Sequence, residues 1–229
     1  MAAPPLRAVL FDFAGTTFDD RGILTVAGVQ RHAAARGIEI ADADAAAAIE
    51  RTMVYIHQPE HDEAKIGSDL SQEAHRHTWQ GLIAEAGPWP DALAEAIYEA
   101  LVDNEAWLPY PDTLEVLGAL SAHGVPVGLV SNIGWDIRPA LERAGALAHL
   151  QTVLLSWEEG LVKPDPAFFA LACERLGSQP GETLFVGDNP ETDGGAVQVG
   201  LSALLLPSER PTGRPRGLAR VLPLVGAAP

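Results

Sequence analysis

Three polar motifs follow one another along the chain, each closing an apolar run: Asp12 in AVLFDFAGTT, Ser131-Asn132 in VPVGLVSN, and Asp188 in TLFVGDNPETD. Lys163, in GLVKPDP, falls between the second and the third, and Asp193 follows Asp188. A carboxylate can act as a nucleophile or hold a hard cation. A hydroxyl, an amide and an ammonium can neutralise a developing negative charge. Taken singly, Asp12 or Asp188 reads as an ordinary strand-end turn residue. Their company changes that reading. In an open parallel sheet the strand C-termini share one edge, and ligands bind in the crevice outside it. If each apolar run is a strand of one such sheet, all these groups meet in one pocket.

The elements that would position them are legible as a rhythm. Residues 7–12 form a short apolar run, as expected of a strand covered on both faces. From about Thr25 to Asn104 the spacing turns helical. Val26, Val29 and Ala33 precede a stop at Gly37; Asp42 caps a helix with Ile49 and Met53. Ser71 caps one with Trp79, Leu82 and Ile83, and Pro90-Asp91 opens one with Leu93, Ile97 and Leu101. No strand is expected there. From Pro111 the chain alternates: a helix to Gly124, strand VPVGLVS, a helix through Ile137 and Leu141, strand TVLLS, a helix from Phe168 to Leu176, strand TLFVGD, a short helix near Ala196, and strand SALLLP. This predicts an α/β fold, a doubly wound parallel sheet with right-handed crossovers. The core is expected over residues 1–17 and 109–229, with an all-helical cap domain over 18–108 overhanging the pocket. In the Pro-, Gly- and Arg-rich tail from Pro207, the patch LARVLPLV is expected to pack back on the core.

Composition narrows the partners. At 229 residues, 47% hydrophobic and 20% charged, the chain has the make-up of a soluble globular protein. Its formal charge of −16 argues against nucleic acid or an anionic membrane, both of which attract basic surfaces. No run approaches membrane-spanning length and the N-terminus lacks a signal-peptide layout. The single cysteine, Cys173, sits in the apolar stretch FFALACERLG, so a reducing cytoplasm is the expected location. Monomer and homodimer are both open.

Asp12 in DFAGTT, Ser131-Asn132, Lys163 before Pro-Asp-Pro, and Gly187-Asp188 with Asp193 resemble the four ordered motifs of the haloacid dehalogenase-like (HAD) hydrolase superfamily. The match covers roughly residues 6–20 and 110–206, and the helical insert looks like that superfamily's cap. The resemblance implies a hydrolase of a small phosphorylated metabolite, working through an aspartyl phosphate on Asp12. Mg²⁺ would offset repulsion between that carboxylate and a phosphate dianion. Asp12, Asp188 and the Ala14 carbonyl would hold it, while Asp193 holds a metal-bound water or orients Lys163. Ser131, Asn132 and Lys163, one of two lysines in the chain, would stabilise the transferring group. Ser131 and Asn132 are also suited to cap the helix that follows. Thr16 is suited to hydrogen-bond the nucleophile, and Gly15 to the sharp turn after it. Trp135 and Trp157, just after strand ends, are placed to line the pocket; Trp79, Trp89 and Trp107 read as packing.

One position departs from the resemblance. Phosphatases of the superfamily carry a second Asp two residues after the nucleophile, as acid and base; here Ala14 stands there. Lacking that group slows each step by roughly 10²–10⁴-fold. Asp19, Asp20, Glu60, His61, His75 or His77 could stand in, although a solvated face is the ordinary role of each. DFAGTT is also similar to the first motif of phosphonoacetaldehyde hydrolases, which use a cap lysine as a Schiff base; Lys65 is the one candidate. A slow or inactive phosphate-binding relative is the third reading. A dehalogenase, which attacks carbon without Mg²⁺, is disfavoured by the acids of GDNPETD.

Overall fold

The computed structural model describes residues 4–207, 209 and 213–227; residues 1–3, 208, 210–212 and 228–229 of the expected core segments lie outside these. The run before Asp12 forms strand β1 (Ala8–Phe11), buried throughout. Past Asp12 the chain turns through Gly15, whose φ of 74° is left-handed and suits a residue without Cβ. It then enters the two-residue strand β2 (Phe18–Asp19). The helical insert follows: α1 (Val26–Ala34), α2 (Asp42–Ile56), the single turn α3 (Asp62–Lys65), α4 (Gln72–Ala86) and α5 (Asp91–Leu101). Strand β3 (Leu108–Pro109) returns antiparallel against β2, tying the two ends of the insert into a ribbon.

The alternating half then runs α6 (Thr113–Ala122), β4 (Val127–Ser131), α7 (Arg138–Ala144), β5 (Thr152–Leu155), α8 (Ser156–Glu159), α9 (Pro166–Leu176) and β6 (Thr183–Gly187). A 3₁₀ segment over Asp193–Val199, strand β7 (Ser202–Leu205) and the short α10 (Val221–Leu224) complete it. The strands lie in the order β5-β4-β1-β6-β7, and every neighbouring pair is parallel. This is the doubly wound α/β sheet. The chain leaves β1 towards one edge and later crosses to the other, so β1 lies between β4 and β6, with the ligand crevice at its C-terminal end.

Alternation along β1 divides its side chains between two cores. Val9 and Phe11 join Leu129, Ile137 and Val186 on one face, while Ala8 and Leu10 join Phe168, Phe169 and Phe185 on the other. The insert has a third cluster of its own, built on Val29, Ile83, Leu93 and Ile97. Ser71 caps α4 as its sequence suggests, its Oγ accepting the Ala74 N–H at 3.0 Å. Asp42 instead begins α2 as its first helical residue, behind Ala41.

Two further details differ from expectation. β2 and β3 flank the stretch read as helical, and two residues are too few to carry a strand period. The helix expected directly after Ser131-Asn132 begins only at Arg138, so those two residues do not cap it. Asp136 serves that end instead, its Oδ1 accepting the Arg138 N–H at 3.0 Å.

The tail packs back as its apolar residues imply: Leu218, Val221 and Leu222 are buried in the first core. Asp112 ties it down. Its buried carboxylate accepts the backbone N–H groups of Arg216, Gly217 and Leu218 at 2.7, 2.8 and 2.8 Å. Asp112→Ala should therefore lower the unfolding free energy by about 2–4 kcal/mol, since it strands two buried donors and a half-buried one. A urea titration giving a loss below about 0.5 kcal/mol, the level of an ordinary surface substitution, would refute that role.

Candidate active site

The end of β1, the end of β6 and the loop before α9 bring Asp12, Asp188, Lys163 and Asp193 into one buried cluster. Lys163 Nζ donates to Asp12 Oδ1 at 2.6 Å and to Asp193 Oδ1 at 2.7 Å. The other Asp193 oxygen accepts the backbone N–H of Asp188 at 2.9 Å and of Asn189 at 3.0 Å. Asp193 thus holds the ammonium with one oxygen and the turn carrying Asp188 with the other. Gly187 permits this approach, since a Cβ there would overlap the Asp193 carboxylate.

Burial disfavours the charge on Lys163, but Asp12 and then Asp193 outweigh it, and its pKa lies above the ordinary lysine value. For Asp12 burial is the strongest influence; it pushes the carboxyl up to about 6 against the pull of Lys163. Oxygen atoms of Asp12, Asp188 and Asp193 all lie within 4.8 Å of one another. Three carboxylates here face one ammonium, with the buried Arg216 guanidinium 3.7 Å from Asp188 Oδ2 as a looser neutraliser. The donor set is all oxygen and in excess of the positive charge, which suits a hard divalent cation.

Asn132 forms a two-way bridge to the lysine loop. Its Nδ2 donates to the Lys163 carbonyl at 2.8 Å, and its Oδ1 accepts the Lys163 N–H at 2.7 Å. Ser131 is buried at the end of β4. Thr16 is buried, and its Oγ1 has no hydrogen-bond partner among the described residues. Thr17 instead donates to the Asp12 carbonyl at 2.9 Å. Lys65 stands apart from this group: its Nζ donates to the Ile56 carbonyl at 2.9 Å and pairs with Asp62 at 2.7 Å.

Above the cluster, a cavity of about 320 Å³ lies between the sheet edge and the insert. Ala14 and Asn132 line it from below; Trp79, Trp107 and Trp135 line it from the sides, joined by Asp20, Asp69 and His75. The expectation for Trp135 is met, whereas Trp79 and Trp107, read as packing, line the cavity as well. Trp157 does not; it packs against the core.

Several contacts hold insert and sheet together here. Ser156 Oγ donates to the Asp69 carbonyl at 2.7 Å and accepts the Ile133 N–H at 2.8 Å. Arg143 reaches the carbonyls of Asn104 and Trp107, each at 2.6 Å. The His75 ring presses on Gly134, where any side chain would overlap it.

Residues missed in the sequence include Arg216, whose Nε donates to the Gly15 carbonyl at 2.7 Å and braces the turn after Asp12. Only its place in an Arg-rich tail hinted at it. Asp69 and Thr17 carried no distinguishing signal.

A charged cleft at the carboxyl edge of a doubly wound sheet, with a cavity above it, marks an α/β enzyme. A family model described as haloacid dehalogenase-like hydrolase matches residues 6–200, and the chain belongs to that family. It is 36% identical over 150 residues to ribulose-1,5-bisphosphate 5-phosphatase of Halopiger xanaduensis, covering 62% of each chain. It is 33% identical over 112 residues to phosphoserine phosphatase of Thermus thermophilus, covering 48% of this chain and 45% of that one. With (S)-2-haloacid dehalogenase 1 of a Pseudomonas species it shares 35% identity over 96 residues, 42% of each. The matches thus span less than two thirds of these relatives' lengths. Among solved structures, the HAD-hydrolase YfnB of Bacillus subtilis superposes with a TM-score of 0.67 over 97% of this chain and 99% of that one, at 20% identity.

His75 yields a prediction. Burial, and then the Arg76 charge, lower its pKa to about 4 from 6.5. It therefore contributes stability in full above pH 6.5, and that contribution is lost as the pH falls through about 4. Asp69, raised by burial to about 6, acts in the opposite sense and loses its contribution as the pH rises. His75→Phe should remove the histidine's share, so wild-type stability falls relative to the variant by roughly 3 kcal/mol between pH 6.5 and 4. Parallel curves of melting temperature against pH would refute it.

Proposed function

We propose that the chain is a Mg²⁺-dependent phosphatase of a small phosphorylated metabolite, with Asp12 as nucleophile. The observation that carries this reading is the Lys163 ammonium shared between Asp12 and Asp193 beside Asp188. Asp12, Asp188 and the Ala14 carbonyl would hold Mg²⁺, which when bound supplies charge neutralisation at the phosphoryl oxygens. Asp193 supports the metal shell from behind and orients Lys163. Lys163 fixes the rotation of the Asp12 carboxylate through Oδ1, so its attack on phosphorus is directed. Ser131 Oγ and the remaining Asn132 N–H serve the phosphoryl oxygens, and Thr16 Oγ1 supplies a further donor. Attack forms an aspartyl phosphate and breaks the P–O bond to the leaving group, whose alkoxide takes a proton from water; a second water then attacks phosphorus, releasing inorganic phosphate and restoring the Asp12 carboxylate.

Residues 18–108 serve as the cap domain, excluding bulk water from the cluster and meeting the leaving group. Dehalogenation is the weaker reading, because attack on carbon makes no use of the acids at 188 and 193. A Schiff base at Lys65 is weaker still, because its ammonium is turned onto Ile56 and Asp62 and does not line the cavity.

Two assays test this. Release of inorganic phosphate from p-nitrophenyl phosphate should require Mg²⁺, stop with EDTA, and fall at least about 10³-fold in Asp12→Asn; turnover unaffected by both changes would sink the proposal. Ala14→Asp should raise kcat on alkyl phosphates by roughly ten- to a hundredfold by restoring a proton donor. An unchanged kcat would mean that another group already does this work.

A further inference from the structure

We propose that the cavity above the phosphoryl site receives an alcohol carrying one positive charge on an apolar body, which makes the substrate the phosphate monoester of an ammonium alcohol. This deepens the phosphatase reading and rests on it for the turnover step alone. The cavity, about 320 Å³, is large enough for a small leaving group, and its floor at Ala14 and Asn132 adjoins the residues that would hold the phosphoryl group.

Its wall is aromatic. The His75 ring lies 5.5 Å from that of Trp79 and 5.1 Å from that of Trp135, and Trp107 lies 6.1 Å from Trp135, centre to centre. Aromatic rings attract cations and are the common lining of sites for substituted ammonium groups.

Its charge has one sign. Asp20 and Asp69 line it, and among the described residues no lysine or arginine does. His75, 4.0 Å from Asp69, is held neutral by its lowered pKa and offers no compensation near pH 7. Burial alone raises the Asp69 carboxyl, so a cation in the cavity would supply the attraction that its surroundings lack. A leaving group bearing a carboxylate or second phosphate would meet these two acids and no lysine or arginine; besides His75, His57, its Nδ1 2.7 Å from the Met53 carbonyl oxygen, is the one other titratable side chain on the wall among the described residues.

The test compares three ligands on Asp12→Asn, which binds without turning over: phosphocholine, its uncharged isostere 3,3-dimethylbutyl phosphate, and 2-phosphoglycolate, each with Mg²⁺, by calorimetry. Phosphocholine should bind roughly 3- to 30-fold tighter than the isostere, and 2-phosphoglycolate weakest of the three. Asp69→Asn and Asp20→Asn should each narrow the gap between the first two. Equal or tighter binding of the isostere, a preference for 2-phosphoglycolate, or no phosphocholine binding at all would overturn the assignment. Hydrolysis of p-nitrophenyl phosphate by the wild type reports separately on the phosphatase reading. Activity without the cationic preference would remove this inference alone; the preference without activity would leave the cavity assigned and remove the phosphatase.

Discussion

The site depends on one buried ammonium. Lys163 touches Asp12 and Asp193 across 151 and 30 residues of sequence, and it is their shared proton-rich partner. Removing two carboxylates from water is unfavourable by several kcal/mol each unless they are paired. Lys163 at the centre gives Asp12, just past β1, and Asp193, beyond β6, a shared charged partner where they lie buried together. The lysine is in turn held from outside: Asn132 grips its backbone on both sides, and Asp193 is gripped by the turn after β6. The second motif therefore braces the third, and the fourth orients the ammonium that neutralises the first.

Close backbone approach makes this packing feasible. Gly187 leaves room for the Asp193 carboxylate, and Gly195 lets the 3₁₀ segment lie against Pro164, just past the lysine. Two of the charged groups thus approach each other because two glycines lack Cβ. Arg216 adds a longer-range brace. Asp112 pins the tail backbone, which presents the guanidinium to the Gly15 carbonyl and to Asp188. An exposed tail arginine would do neither.

Much of this was readable from residue order. Buried parallel strands are unbroken apolar runs, so β1, β4 and β6 announce themselves, and a polar residue closing each one points at the shared edge. Helices α1, α4 and α5 carry their stops or caps in sequence. What stayed hidden depends on tertiary distance. Arg216 has the same local context as Arg214 and Arg220, and its burial follows from Asp112, 104 residues away. Trp79 and Trp107 look like packing, Trp79 because it shares a helical stripe with Leu82 and Ile83 and Trp107 because Ala106 and Leu108 flank it; they line a cavity only because the insert folds over the sheet. Asp69 is one carboxylate among many in an acidic insert until Ser156 docks its backbone on the core. The bridge from Asn132 to Lys163 is likewise a product of two loops meeting.

Ala14 gains a physical meaning from this arrangement. A carboxylate at that position would be a fourth acid beside a cluster in which burial, against the pull of Lys163 and with Asp193 and Asp188 acting in its own direction, already raises the Asp12 pKa. A methyl group there relieves that repulsion and gives the cavity an apolar floor. The consequence is a division of labour. Positioning of the Asp12 carboxylate comes from β1, β6 and the lysine loop, whereas the walls of the cavity above it come mainly from the insert, anchored through Arg143, Ser156 and the His75–Gly134 contact. Because different segments supply the two, substitutions in the walls can reshape the cavity while the ammonium-centred cluster keeps its geometry, and in the phosphatase reading proposed above such substitutions select the alcohol.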